Sequence, residues 1–416
     1  MKTYRYLIVG GGMTADAAVD GIREVDEEGS VGLFSEERFP PYDRPPLSKG
    51  LWKGERLEQS WRKPVRPAGV EEHLGVRIVA LDPAERRVTD ADGNAWGYEQ
   101  CLLAVGGRPK RLPFGEEAAR AGELIYFRTL EDYLQLRWKA AVEGEFVVVG
   151  GGFIGAEVAA ALAMQGKRVS MIFPETTILE RLLPPELGRE VNRLYEEKGV
   201  RLLTGDVPVE IARRGELLEV RSRNGERLSA GAVVAGLGIA PEEELARGAG
   251  LAVEDGIVVD RFLRTSRPGV FAAGDCARFP APALGEGRKL RVEHEENANA
   301  QGRLAGRNMA LAATGRAPGA GREDGEGLEP YDYLPFFYSD MFETGYEAVG
   351  LLDSRLQTFA DWKEPLREGV VYYLDGGRVV GVLDWNVWDA IPQARALIEQ
   401  GATYPDPSLL RGRVGA

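Results

Sequence analysis

Tyr4-Arg-Tyr-Leu-Ile-Val-Gly-Gly-Gly-Met-Thr-Ala15 and Phe146-Val-Val-Val-Gly-Gly-Gly-Phe-Ile-Gly155 are two versions of one pattern. Each is an apolar, strand-like run that enters three glycines and opens a helix-like run. After Ala15 the helical pattern continues to about residue 28 and is expected to stop at Gly29, before a strand over residues 31–35 that ends at Glu36. After Gly155 an Ala-rich helix is expected to about residue 165, with a stop at Gly166, before a strand over 168–173 that ends at Glu175. Such a β-α-β unit, used twice, predicts an α/β protein with two Rossmann-like dinucleotide-binding domains. The residues read as Gly10-x-Gly12-x-x-Ala15 and Gly150-x-Gly152-x-x-Gly155. The first glycine permits the tight turn, the second lets backbone N–H groups approach a pyrophosphate, and the third small residue lets helix and strand pack closely. The positive helix N-terminus then holds the phosphates. One such motif is weak evidence, but two of them, each between a strand and a helix, are strong evidence.

An acidic residue about 20 positions further on is expected to bind a ribose. Glu36 and Glu175 stand there. Thr176 follows Glu175 with no arginine adjacent, which favours NADH over NADPH because a 2′-phosphate would meet a carboxylate. A third element, Gly269-Val-Phe-Ala-Ala-Gly-Asp275, reads as a short strand that delivers Asp275 to its carboxyl end, where ligands of open α/β sheets gather.

The rest of the chain sets bounds. Its 416 residues suggest two to four domains. The net charge of −13 argues against nucleic acid as a partner. The two cysteines, Cys101 and Cys276, are far apart and read as small buried apolar residues, a pattern that suits a reducing cytoplasm. The longest apolar stretch, residues 146–164, carries Glu157 and four glycines and is not a membrane span, and the chain enters its first strand with no room for a leader. Strands are expected over 76–81, 87–89, 100–105, 370–374 and 379–383, a linker over 315–329, and a closing helix over 391–400. His73 reads as a surface residue.

With these motifs in view, the chain resembles the FAD- and NAD(P)H-dependent pyridine nucleotide oxidoreductases. Further matching runs are Pro41-Tyr-Asp-Arg-Pro-Pro-Leu-Ser-Lys49, Arg291-Val-Glu-His294, Gly302-Arg-Leu-Ala-Gly-Arg-Asn-Met309, Gly345-Tyr-Glu-Ala-Val-Gly-Leu-Leu-Asp-Ser354 and Val382-Leu-Asp-Trp-Asn-Val-Trp388. These tip the likeness toward the apoptosis-inducing factor branch, with oxygenase-type ferredoxin reductases next. The resemblance implies a discontinuous FAD domain (1–112 and 246–328), an inserted NAD domain (113–245) and a C-terminal α+β domain (329–416) that covers the flavin. It implies FAD contacts from Gly10, Gly12, Ala15, Glu36, Arg44, Lys49, the backbone of Val79, Arg128 and Asp275. It implies nicotinamide dinucleotide contacts from Gly151, Gly152, Phe153, Ile154, Glu175, Arg181, Gly238 and Glu293. His294 and Tyr338 would lie near the meeting point of the two rings, with Glu347 and Asn386 reaching in from the C-terminal domain. Lys49, Glu157, Phe153 and His294 carry the chemistry in this reading. Lys49 and Glu157 would pair beside the flavin, and Phe153 is either a gate for the nicotinamide or a core aromatic.

The sequence also departs from that pattern. Ala104-Val105-Gly106 replaces the usual Ala-Thr-Gly, Tyr338 stands where the animal protein has Trp, and residues 50–72 and 359–368 are abbreviated. No paired thiol or lone cysteine lies where a disulfide reductase or a single-cysteine peroxidase needs one. Three readings stay open: an NADH oxidoreductase with a quinone, oxygen or dye acceptor, a reductase for an iron–sulfur protein, and a redox-sensing interaction protein whose shape changes on NADH binding. The chain is a possible homodimer.

Overall fold

The computed structural model describes residues 1–62, 67–315 and 327–415, so residues 316–326 of the expected linker lie outside the described residues. Contacts divide the chain into two compact units: residues 1–43, 57–108 and 241–335 in the first, and residues 44–56, 109–240 and 336–416 in the second. Residues 44–56 belong to the second unit, not with the flanking FAD stretch. They are anchored there by Arg44 Nη1 on the Arg128 carbonyl at 2.9 Å, by the Trp52 ring edge-on to Tyr133, and by Gln165 on the Trp52 carbonyl.

In the first unit a seven-stranded sheet runs in the order Val70–Leu74, Val31–Ser35, Lys2–Val9, Ala95–Leu103, Arg87–Asp90, Ile78–Asp82, with Val270–Ala272 also pairing to Ala95–Leu103. The first strand lies between parallel partners on both sides. Its carboxyl end is therefore a point where the strand order turns outward in both directions, the usual place for a ligand in an open α/β sheet. Helix Met13–Arg23 starts there and packs along helix Glu295–Thr314. Small residues allow this approach: a Cβ on Gly302 or Gly306 would come within 2.3 Å of the Thr14 carbonyl oxygen or 2.1 Å of that of Ala18. The run 302–309, quoted above only as a likeness, thus has a packing reason.

The first helix ends at Arg23, not near residue 28. The chain beyond it closes around Asp26, whose carboxylate accepts from Arg5, the Tyr6 hydroxyl and the Glu28 and Gly29 amides. Gly29 is not a helix cap. It is small because a Cβ would meet Asp26 and the Tyr6 ring. His73 is also not a surface residue. It stacks on Phe34 with centroids 4.3 Å apart, pairs with the Tyr4 hydroxyl at 2.7 Å and lies against Trp96, and burial lowers its pKa.

In the second unit a five-stranded parallel sheet has the order Arg201–Thr204, Arg168–Phe173, Glu145–Val149, Ala232–Ala235, Leu124–Tyr126. Its near-continuous apolar strands fit a sheet buried on both faces. A separate antiparallel sheet of Phe336–Met341, Thr344–Gly350, Arg378–Trp385, Glu368–Asp375 and Gln357–Glu364 carries helix Ile391–Glu399 against Thr344–Gly350 and Arg378–Trp385. Among the described residues no helix is long and apolar enough to cross a membrane.

Candidate functional site

Each unit has a helix start prepared for an anion. In the first, Gly10 has φ +130°, and a Cβ there would stand 2.1 Å from the Ala104 carbonyl oxygen. Gly12 is the helix N-cap and no side chain caps it. The Ala104–Gly106 departure therefore falls on the wall of this turn. Ala15 is fully buried on the packing side of the helix. Asp275 lies on a short 3-10 turn, Gly274–Cys276, against the same helix start, where a Cβ on Gly274 would meet the Thr14 hydroxyl. The Gly274 amide donates to Gln301 Oε1 at 2.8 Å, while the buried Gln301 Nε2 has no protein partner. A buried donor of this kind asks for an acceptor, and an uncapped helix N-terminus beside it fits the pyrophosphate of FAD.

Glu36 follows its strand as expected but is exposed, with Arg108 at 3.3 Å and Arg77 at 4.0 Å. Those two arginines were not anticipated. Val79 is half exposed and is skipped by the register shift between Ile78 and Ala80, which leaves its backbone outside the ladder. Glu293, also in this unit, pairs with Arg291 at 2.6 Å. His294 is the N-cap of helix Glu295–Thr314, with Glu295 and Glu296 in the first turn.

In the second unit Gly150 has φ +112° and its Cβ would meet the Gly236 carbonyl oxygen at 2.3 Å, the counterpart of the Gly10 and Ala104 contact. Gly152 is the N-cap of helix Phe153–Met164, again without a side-chain cap, and a Cβ on it would project into open space. Gly151 backs onto the Phe173 ring and Ile154 is partly exposed in the first turn. This open cradle fits the pyrophosphate of a nicotinamide dinucleotide. Glu175 stands two residues beyond its strand with the Arg181 guanidinium 3.4 Å away. No arginine adjoins Glu175 in sequence, yet one adjoins it in space. Gly238, at φ +78°, accepts the Lys110 amide on its carbonyl. Phe153 is half buried and edge-on to Phe337 with centroids 5.8 Å apart, so it has a packing partner as well as an exposed part.

The same unit brings Lys49 and Glu157 together at 3.2 Å, with both side chains largely buried. Glu157 also accepts from the Ser48 and Ser339 hydroxyls, each at 2.6 Å. The carboxylate thus has three donors, and the lysine is fixed rather than loose. Lys49 Nζ also lies 4.3 Å from the centre of the Tyr338 ring. Neither serine was singled out from sequence, although each adjoins a residue that was. Glu347 faces Tyr338 in register on the C-terminal sheet. The Asn386 amide is committed within that sheet, accepting from Gly345 and donating to the Arg367 carbonyl. Arg128 receives Arg44 on its carbonyl.

Both cysteines are buried and reduced. Burial pushes the Cys101 thiol up strongly and the Cys276 thiol up to about 11.

Comparison with known proteins agrees with this geometry. The model of the pyridine nucleotide-disulphide oxidoreductases matches residues 4–302. The chain belongs to that family. As a member it is an oxidoreductase that uses FAD and a nicotinamide dinucleotide. It is similar to the seedling isozyme of monodehydroascorbate reductase from Cucumis sativus, 33% identical over 91% of this chain and 90% of the relative. It is also similar to mitochondrial apoptosis-inducing factor 1 from Dictyostelium discoideum, 31% identical over 99% of this chain and 81% of the relative. Among solved structures it superposes on putidaredoxin reductase in its covalent complex with putidaredoxin, with a TM-score of 0.87 and 31% identity over 99% and 96% of the two chains. The monodehydroascorbate reductases are relatives that the sequence motifs did not single out.

Proposed function

We propose that this oxidoreductase takes electrons from NADH, in preference to NADPH, and delivers them to a small diffusible acceptor rather than to a thiol pair. The observation that carries the reading is the pair of glycine-capped helix starts, one in each unit, that no side chain caps. When bound, FAD would supply the redox chemistry, a ring able to take up a hydride equivalent from NADH and to release its electrons again. The chain's own residues bind and orient. Gly10, Gly12 and Asp275 would hold the flavin dinucleotide, and Gly151, Gly152 and Glu175 the nicotinamide dinucleotide. The ammonium of Lys49, locked by Glu157, supplies a fixed positive charge in a largely dry setting, where a charge acts more strongly than in water. The burial of Cys101 and Cys276, which raises both thiol pKa values, disfavours a thiolate and supports an acceptor other than a disulfide.

A small acceptor is favoured by the −13 net charge, which gives no general attraction for an acidic protein partner, and by likeness to a reductase named for monodehydroascorbate. The second reading, a reductase for an iron–sulfur protein, is supported by the near full-length superposition on putidaredoxin reductase. Anaerobic stopped-flow mixing with NADH, followed by a panel of acceptors, tests the proposal. The expected outcome is one FAD per chain and rapid bleaching of the flavin. A colourless protein, or one that NADH does not bleach, would remove it.

A further inference from the structure

The C-terminal sheet holds an acidic pair that the reading above does not use. Asp384, on strand Arg378–Trp385, is fully buried, and among the described residues neither of its carboxyl oxygens has a hydrogen-bond partner. Its register partner on strand Thr344–Gly350 is Glu347, whose Oε2 is also buried and unpartnered. On the other side Asp384 faces the apolar Val370. The groups that act on the pair are Asp389, whose backbone N–H donates to Glu347 while its charge repels it, and Tyr372 on strand Glu368–Asp375, which feels the charge of Asp384. Tyr338 is the other register partner of Glu347, and its ring carries Lys49 Nζ 4.3 Å from its centre. Among the described residues no cation shifts either carboxyl.

Two facing carboxylates whose one donor is the Asp389 amide on Glu347 cannot both stay ionised in such a place. One proton resolves the conflict, because a carboxylic acid can donate to a carboxylate. In agreement, burial and then Glu347 push the Asp384 carboxyl up to about 7, and burial raises that of Glu347.

We propose that Asp384 and Glu347 are a proton-sharing carboxyl pair, in which Asp384 carries the proton at neutral pH and acts as a positioning residue for Glu347. With the proton in place the pair bears one negative charge and Glu347 is held. Without it the pair bears two charges and repels itself. Where the proposed function holds, the charge that the pair gains or loses with its proton acts on a flavin bound to the protein and shifts its midpoint potential. This last step rests on the proposed function, whereas the shared proton does not.

The test uses the FAD-loaded protein and the variant Asp384→Asn. Infrared spectra of the wild type should show the carbonyl stretch of an un-ionised carboxylic acid below neutral pH, and the variant should lack it. A carboxyl whose pKa is raised on folding contributes stability below its unfolded value of about 4, and loses it as pH rises through its folded value of about 7. The Tm of Asp384→Asn relative to wild type should therefore rise between about pH 4 and about pH 7 and stay level above that. The flavin midpoint potential should fall more steeply with pH in the wild type than in the variant. Should Asp384→Asn fail to fold, Glu347→Gln gives a second arm: its amide can donate to Asp384, so the carboxylic band should vanish at a lower pH. A band unchanged in the variants, or a Tm difference independent of pH, would overturn the shared proton. Parallel potential curves would overturn the positioning role. A protein without flavin would defeat the proposed function, and the band and Tm would still report on the pair.

Discussion

Glu175 and Glu157 put one residue type in two different settings of the second unit. Glu175 sits just past its strand, partly exposed, with Arg181 beside it. A 2′-phosphate would meet the Glu175 carboxylate first, and the largely exposed Arg181 can soften but not cancel that clash. NADH is therefore expected to bind about tenfold more tightly than NADPH, and Glu175→Gln to narrow the gap. Paired titrations of flavin bleaching check this, and equal affinity in the wild type would sink it. Glu157 is buried and carries three donors. Lys49→Met removes the only cation among them and leaves two hydroxyls. Breaking one side of a buried ion pair costs about 3–5 kcal/mol. The double variant Lys49→Met/Glu157→Gln removes the stranded charge, so denaturant unfolding should place it well above the single variant. If it is no more stable than the single variant, the pair is not what holds the segment 44–56.

At the scale of the element, what was legible in the sequence depended on whether a local rule decided it. The two fingerprints and their strands were readable because glycine spacing and apolar periodicity act within a few residues. The end of the first helix was not readable. It is set by Asp26, whose partners Arg5 and Tyr6 come from the neighbouring strand. His73 was misread for the same reason, since Phe34, Tyr4 and Trp96 lie far away in sequence. In the candidate site the glycines were legible, whereas Ser48, Ser339, Arg77, Arg108 and Asp384 were not, because each acts through a partner from a distant segment. Two tests follow at this scale. Gly306→Leu should overpack the helix pair against the Ala18 carbonyl and cost about 1–3 kcal/mol, lowering the Tm and the flavin content together. Burial opposes the Asp26 charge, but its four donors outweigh burial and hold the carboxyl at about 2. A depressed carboxyl adds stability above its unfolded value of about 4 and loses it as pH falls toward about 2. Asp26→Asn should therefore lower the Tm at neutral pH and much less in acid, and a Tm loss that does not change with pH would exclude this role.

The whole molecule raises the question of the acceptor, and here charge and likeness point to different experiments. A reductase that recognises an acidic iron–sulfur protein depends on a positive surface for steering, and such steering collapses as salt rises. This chain carries 65 acidic against 52 basic residues. Many of the arginines are already spent: Arg303 and Arg307 on Glu24, Arg307 also on Glu329, and Arg291 on Glu293 and Asp255. Side chains paired in this way within the molecule present less positive charge to a partner than their number suggests. A small acceptor needs no such surface. Its rate is governed by access and by the driving force from the flavin, and salt matters little to an uncharged quinone. Steady-state oxidation of NADH should accordingly be faster with quinones or with an ascorbate radical than with ferredoxins, and nearly insensitive to salt with quinones. The measurement is one acceptor panel run at low and at high ionic strength. If a ferredoxin is reduced quickly at low salt and slowly at high salt while quinones turn over negligibly, the protein is an electron-transfer reductase, and a local positive patch must then outweigh the net charge.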